Sequence, residues 1–206
     1  MTLIDRWYGD WADLGTRPPE ARTLAELLDR YAEPQRAYHT LQHLGECFAA
    51  LDSSRGLAER PGEVAIAIWF HDGIYDSHAS DNEARSAAWA EGVVLAAGGG
   101  REARGRVRDL ILATRHLETP GPGDQALLVD IDLAILGADA DRFEEYEAQI
   151  RREYDWVPET TYRKDRARLL AGFLARPRIY TTSYFSERLE GRARTNLRRS
   201  ITRLGG

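Results

Sequence analysis

The sequence predicts an all-α protein, a bundle of about eight to ten helices in a single domain over residues 1–206. In nearly every segment the apolar residues recur at the three- and four-residue spacing of a helix face. No segment alternates polar and apolar residues over the length of a strand, and no Asn-Gly hairpin turn occurs. The loops rich in glycine and proline are too short to be linkers between domains.

The first three predicted helices differ in how much of their surface is apolar. Residues 21–32 carry leucines on one face, and residues 40–52 do the same after Thr40, a residue type that often caps a helix. Residues 62–71, GEVAIAIWFH, are apolar almost throughout. The first two are therefore expected to be amphipathic, and the third is expected to be a buried helix.

The remaining predicted helices follow the same helical period. They are expected at residues 81–97, 101–117, 124–137, 139–153, 159–175 and 184–204. Asp81 and Asp124 are expected to cap two of these helices at their N-termini, and Gly137 is expected to end one of them.

Charge and cysteine content limit the classes of partner. The net charge of −5 argues against nucleic-acid binding, which needs a basic surface. The arginine-rich residues 186–206 are interpreted as a solvated helix end rather than a contact to phosphate or RNA. Cys47 is the single cysteine, so no internal disulfide is expected. With neither a signal-peptide pattern nor a long apolar segment, the chain is expected to be cytoplasmic, without a membrane partner.

Two polar residues follow the most apolar segment directly. His71 and Asp72, in FHDGIYD, come where the chain should still be near the core. A buried carboxylate is costly unless it is paired, hydrogen-bonded or bound to a metal. Gly73 is expected to end the helix in a left-handed conformation, so that both side chains can reach one centre. The alternative for this pair alone is a surface contact at a helix terminus.

A second apolar segment contains two aspartates. Asp130 and Asp132 lie in ALLVDIDLAIL, with no basic residue nearby in the sequence. Charged residues are rarely buried without a partner, so the segment predicts a bound cation. Together with His43, which lies on the polar side of another helix, two histidines and two aspartates could form one site. Such a shell of nitrogen and oxygen suits Mn, Fe, Co, Ni or Zn.

The four residues His43, His71, Asp72 and Asp132 resemble the signature of a known family. Their order and spacing are similar to the H…HD…D signature of the HD-domain superfamily of metal-dependent phosphohydrolases. The segments YHTLQHL, FHDGIYD, DNEARSA, ATRH and DIDLAILG also resemble a bacterial group of predicted HD phosphohydrolases, over roughly residues 31–196. The resemblance implies an all-helical HD fold, a divalent metal (Mn, Fe, Co, Ni, Zn or Mg) and hydrolysis of a phosphate ester. The expected substrate is a nucleotide or another small molecule.

A further resemblance distinguishes the two histidines of YHTLQHL. This segment is similar to Tyr-His-Asn-x-x-His-Ala of the cyclic-nucleotide phosphodiesterases, which implies that His43 binds metal and His39 protonates the leaving oxygen. The spacing of four residues would place both on one helix face. Thr40 departs from the asparagine of that pattern. An alternative for His39 is a packing histidine, or one that contacts the ligands without binding metal.

The resemblance also implies the remaining roles. The metal ligand precedes a leucine in the family pattern, which favours Asp132 over Asp130. Asp130 would then orient a ligand histidine or a helix start, although its place as the ligand stays open. Asp72 or Asp132 could orient the attacking water. Arg115 and His116 are candidates to stabilise the charge on the phosphoryl group.

Two other residues have weaker assignments, and two other functions compete. Arg85 is a further candidate for the phosphoryl clamp, and Glu83 could hydrogen-bond a metal-bound water.

One rival function is an HD-type nucleotide-binding or regulatory module with little turnover. The other is a redox enzyme with two irons, which would need additional histidines, and only His78 and His116 are available.

Overall fold

The computed structural model describes residues 2–205, and within them the chain forms ten α-helices and no strand. The predicted all-α class is therefore confirmed. The helices are α1 Leu3–Asp13, α2 Ala21–Tyr31, α3 Leu41–Ser54, α4 Pro61–Phe70, α5 Asn82–Ala96, α6 Arg101–Ala113, α7 Asp124–Asp132, α8 Ala140–Glu153, α9 Glu159–Ala175 and α10 Ser183–Leu204. Two short 3-10 helices, Arg55–Leu57 and Leu133–Gly137, follow α3 and α7. Among residues 2–205, no helix has the length and apolar character needed to cross a bilayer.

Backbone contacts group the helices into two compact units. One unit ends at Val129 and the other begins at Asp130, so the division falls inside α7. The prediction of one domain over residues 1–206, with a core over about 31–196, stays a prediction.

The first unit is organised around α4. All residues of this helix from 62 to 70 are buried, and α4 packs against α1, α3, α5 and α6. A helix that is apolar on every side is stable only when other helices cover it, as the sequence indicated. Glu63 is the charged exception, and Arg106 of α6 neutralises it through two hydrogen bonds of 2.7 Å.

Helix α1 was not predicted from the sequence. Thr2 accepts a hydrogen bond from the Asp5 backbone N–H, and Asp5 accepts one from the Thr2 backbone N–H, which forms a capping box. Trp7 and Trp11 lie on one face of α1 and are 1% and 0% exposed. Trp7 packs edge-on against Trp69 of α4, with ring centroids 5.2 Å apart. The capping pattern and the tryptophan spacing of four residues were the available signals.

Four predicted features of helix ends differ from the structure. The helix expected over 101–117 stops at Ala113, because His116 has a positive φ of 57° that a helix cannot continue through. The helix expected over 124–137 changes to a 3-10 helix after Asp132. Asp81 stands at the predicted N-cap of α5 but makes no capping hydrogen bond. Asp124 accepts instead from the backbone N–H groups of residues 59 and 60, at the start of α4.

The second unit consists of the 3-10 helix Leu133–Gly137, α8, α9 and α10. The 3-10 helix packs against α8 and α10, and α9 packs against α10. Four arginines of α10 form ion pairs with acidic side chains. The pairs are Arg192–Asp139, Arg194–Glu190, Arg199–Glu144 and Arg203–Glu144. These ion pairs neutralise part of the positive charge of α10, and the interpretation of the arginine-rich segment as a solvated helix end stays a prediction.

Candidate metal centre

Two buried histidines of the first unit face each other. His43 lies in the first turn of α3, which begins where the Thr40 hydroxyl accepts a hydrogen bond from the Gln42 backbone N–H. His71 follows the last residue of α4. Their Nε2 atoms are 3.1 Å apart, and each residue is 2% exposed. The Nδ1 atom of His71 lies 2.9 Å from the Ile68 carbonyl oxygen, so Nδ1–H donates to this carbonyl and Nε2 is the ring nitrogen that faces His43.

Asp72 adds an oxygen to this pair. Its Oδ2 atom lies 3.0 Å from Nε2 of His71 and 3.4 Å from Nε2 of His43. Three ligand-type atoms therefore form a triangle with edges of 3.0 to 3.4 Å. Metal–ligand bonds of about 2.0–2.2 Å place neighbouring ligand atoms about 3.3–3.6 Å apart in a tetrahedral site and about 2.8–3.1 Å apart in an octahedral one. The edges of the triangle fall within these two ranges, and the cluster could hold a metal ion.

The electrostatics keep Asp72 in the form that binds cations. Burial alone raises the pKa of the Asp72 carboxyl. The positive charges of His71 and His39, together with hydrogen bonds from His43 and His71, outweigh burial and hold this pKa well below its usual range. Asp72 is therefore a carboxylate near neutral pH.

Gly73 has a different role from the predicted one. Its φ is not positive, so it does not form a left-handed helix end. A Cβ atom at this position would lie 3.0 Å from the Trp89 ring and 3.1 Å from the Phe70 carbonyl oxygen. A side chain at this position would press tightly on these neighbours, so glycine lets the turn after α4 pack closely against them.

Cys47 lies one helical turn after His43. Its Sγ atom is 3.7 Å from both Nδ1 and Nε2 of His43, and the ligand atoms of His43, Cys47 and His71 all lie within 4.8 Å of one another. A sulfur atom at equal distances from both ring nitrogens lies beside the ring and off the lone-pair direction of either nitrogen. Cys47 is thus a buried neighbour of His43, and it places a thiol at the edge of the site.

Asp130 and Asp132 belong to the second unit. The Asp130 carboxylate accepts hydrogen bonds from the Thr181 backbone N–H (2.8 Å), the Thr182 backbone N–H (2.7 Å) and the Thr182 hydroxyl (2.6 Å). Burial raises the pKa of Asp130, and these hydrogen bonds oppose the rise. Because Thr182 caps α10, Asp130 organises a helix start, one of the two roles predicted for it. Asp132 is half-buried at the end of α7, and its ligand role stays a prediction.

His39 precedes α3 rather than lying on it. The helix begins at Leu41, so the argument from a spacing of four residues on one helix face was wrong. The His39 ring nevertheless lies 6.0 Å from the His43 ring, measured between centroids. It stacks on the Tyr75 ring at 4.0 Å with an interplanar angle of 26°. His39 is half-buried, at the edge of the candidate site.

The candidates for a phosphoryl clamp lie at the surface. Arg115 and Arg85 are exposed, and the Arg115 Nε atom is 3.9 Å from Oε2 of Glu83. His116 is half-buried in its left-handed position after α6. His78 is exposed, as expected for a loop residue. The assignments of Arg115, His116 and Arg85 as clamps, and of Glu83 as a partner of bound water, stay predictions.

The sequence analysis missed Arg36, which is only 4% exposed. Its guanidinium donates hydrogen bonds to the backbone carbonyls of His39 (3.2 Å), Asp72 (2.6 Å) and Gly73 (3.2 Å). A single arginine in a loop is normally solvated, so nothing in PQRAYH predicted its burial.

The comparisons with known proteins are negative. No protein-family model, curated protein or solved structure matches this chain.

Proposed function

We propose that this protein is a metal-dependent phosphohydrolase of the HD superfamily that cleaves a phosphate ester of a nucleotide or another small molecule. The observation that carries the proposal is the triangle formed by Nε2 of His43, Nε2 of His71 and Oδ2 of Asp72. Two ring nitrogens 3.1 Å apart repel each other unless a proton or a cation lies between them. Beside an ionised carboxylate, a divalent cation satisfies all three atoms.

The fourth ligand in this proposal is Asp132. Asp130, the competing candidate, already accepts three hydrogen bonds at the start of α10. Two imidazole nitrogens and two carboxylates suit Mn, Fe, Co, Ni or Zn, and the carboxylate oxygens also suit Mg.

The mechanism uses residues of this chain around the bound ion. The ion would lower the pKa of a bound water and polarise a phosphoryl oxygen. Asp72 or Asp132 would accept a hydrogen bond from the attacking water and orient it towards phosphorus. His39, at the edge of the site, donates a proton to the leaving oxygen. Arg115 and His116 are the proposed groups that stabilise negative charge on the phosphoryl oxygens.

Metal analysis followed by a hydrolysis screen tests the proposal. The purified protein should contain about one divalent ion per site, measured by elemental mass spectrometry. It should release phosphate from nucleotides, sugar phosphates or p-nitrophenyl phosphate when Mn, Fe, Co, Ni, Zn or Mg is supplied. His71→Ala should lose both properties, whereas His78→Ala, which changes an exposed loop histidine, should keep them.

Three outcomes count against parts of this proposal. A protein that neither retains nor takes up a divalent ion would overturn the metal centre. A protein that binds metal and nucleotide without releasing phosphate would instead be a regulatory binding module. Metal-stimulated hydrolysis that survives His71→Ala would place the chemistry elsewhere in the chain.

A further inference from the structure

Arg36 connects the two segments that carry the candidate catalytic groups. It lies in the loop between α2 and α3, and its side chain is wholly buried. Its Nε donates to Glu33, 3.1 Å away, while NH1 and NH2 donate to backbone carbonyls. NH1 reaches the His39 carbonyl at 3.2 Å and the Asp72 carbonyl at 2.6 Å. One guanidinium therefore joins the backbone of His39 to the turn that carries Asp72.

The chemistry of the guanidinium explains why arginine occupies this position. Its five N–H donors form a rigid planar fork, so several acceptors can be held at defined angles at once. A buried cation is costly unless it is paired and hydrogen-bonded, and here Glu33 and three carbonyls meet that need. Such an arrangement fixes distances between backbone segments, since moving either segment leaves a buried charge unsatisfied.

Arg36 binds the backbone of His39, and Tyr75 contacts its side chain. The Tyr75 ring stacks on the His39 imidazole, with centroids 4.0 Å apart. The Arg36 guanidinium carbon lies 5.6 Å from the centre of the same tyrosine ring. Arg36 therefore contacts both the backbone of His39 and the side chain on which the imidazole rests.

We infer that Arg36 and Tyr75 are positioning residues that hold the His39 imidazole in place beside the His43–His71–Asp72 cluster. The inference rests on the proposed function, in which His39 protonates the leaving oxygen. It extends that function, because the proton donor comes from a loop and not from a helix. A loop residue needs such a frame, since a misplacement of about 1 Å can cost roughly 10²-fold in rate.

The position of the imidazole can be measured without turnover. Stacking on Tyr75 shifts the Cε1–H resonance of His39 upfield through the ring current. The chain has five histidines, so histidine-labelled protein in the presence of diamagnetic Zn²⁺ gives a spectrum in which His39→Gln identifies this signal. Arg36→Lys and Tyr75→Leu should both move it towards the value of free histidine. Tyr75→Phe should retain the upfield shift, as should Arg22→Lys, which changes an exposed arginine.

A double-mutant cycle tests the catalytic consequence. On an alkyl phosphate, Arg36→Lys should lower kcat by about 10- to 100-fold with little change in KM. In the His39→Ala background the same substitution should cost clearly less, because the imidazole that Arg36 positions is gone and only its contacts to the turn that carries Asp72 remain. On p-nitrophenyl phosphate, whose leaving group needs little protonation, the loss should be smaller in both backgrounds. Tyr75→Leu, at a half-buried position outside the helices, gives the same test if Arg36→Lys proves unstable.

The outcomes separate this inference from the proposed function. If the unaltered protein shows no metal-stimulated hydrolysis, the proposed function fails and the positioning role falls with it. If the unaltered protein is active but Arg36→Lys costs the same factor with and without His39, then Arg36 is only structural. An unchanged His39 resonance in both Arg36→Lys and Tyr75→Leu would likewise overturn the positioning role.

Discussion

The Nε2 atoms of His43 and His71 lie 3.1 Å apart, although 28 residues separate the two histidines in the chain. Each ring is held by its own surroundings: His43 by the capped start of α3, and His71 by a hydrogen bond to the Ile68 carbonyl. The fold of the first unit thus brings two ring nitrogens from distant segments to the separation at which both could bind one metal ion.

The first prediction concerns Asp72. Asp72→Ala removes a ligand oxygen and a negative charge, so bound metal and phosphate release should be lost together. Changing a residue that only orients a ligand costs about 10- to 100-fold in metal affinity, and losing this oxygen should cost at least as much. Elemental analysis after dialysis and a phosphate-release assay measure the two effects.

Asp76→Ala is the matched control for this prediction. Asp76 is an exposed acid in the loop that follows the same turn, and its carboxylate accepts from the His78 backbone N–H. The variant should keep both metal and activity. An Asp72→Ala protein that stays folded and retains metal-stimulated hydrolysis would remove Asp72 from the site.

The second prediction compares two aspartates of α7. Asp132→Asn should weaken metal binding by at least about tenfold. It should change the free energy of unfolding of the metal-free protein by less than about 1 kcal/mol. Asp130→Asn should leave metal binding nearly unchanged and should lower the free energy of unfolding. The reason is that an amide group facing the Thr181 and Thr182 N–H groups leaves a buried donor without an acceptor. That loss costs about 1–3 kcal/mol, measurable by urea denaturation. Metal loss in Asp130→Asn alone would exchange the two assignments.

Most of the fold could be predicted because the helices of this chain carry their own signals. The all-round apolar character of residues 62–71 predicted α4 and its burial, and the helical period predicted α2 and α3. The helix ends were less predictable. They depend on contacts between distant segments, as when the carboxylate of Asp124 binds the start of α4. Gly73 also depends on a distant segment. A Cβ atom at this position would lie 3.0 Å from the Trp89 ring, and the sequence does not show that contact.

The site was predictable where chemistry conflicts with local environment. An acid and a histidine directly after an apolar helix are costly unless they share a partner, and this conflict indicated His71 and Asp72. Arg36 gave no such signal, because a loop arginine looks solvated until the tertiary structure buries it. The role of Asp130 at the start of α10 could not be decided from the sequence either, because it depends on hydrogen bonds from Thr182, 52 residues away.

The third prediction separates His39 from His43. His43→Ala should reduce metal content, whereas His39→Ala should leave it near that of the unaltered protein. General acid catalysis contributes typically about 10²–10⁴-fold, so His39→Ala should lower turnover of an alkyl phosphate by roughly that factor. The loss should shrink for p-nitrophenyl phosphate. Equal losses on both esters would show that His39 orders the metal or the substrate and is not the acid.

The last prediction concerns Asp10, a buried carboxyl group of α1 that lies outside the candidate site. Burial raises its pKa, and this effect outweighs the hydrogen bond of 2.9 Å from Trp69 Nε1–H and the positive charges of Arg6 and Arg55. The nearby charge of Asp13 adds to the rise. The folded state therefore binds the proton more tightly than the unfolded chain, in which an aspartate titrates near pH 3.9. The stabilisation from protonated Asp10 is complete below that pH and is lost as the pH rises through the raised folded pKa.

Asp10→Asn should remove this pH dependence, because the amide is neutral at every pH and its oxygen can still accept from Trp69. Relative to the unaltered protein, the free energy of unfolding of the variant should rise with pH from about pH 4 upward. The rise should level off once the pH exceeds the folded pKa of Asp10. Urea denaturation at a series of pH values measures the difference, and Asp29→Asn, at an exposed position on α2, should show no such trend. A constant difference between Asp10→Asn and the unaltered protein across this range would mean that Asp10 titrates alike in the folded and unfolded states.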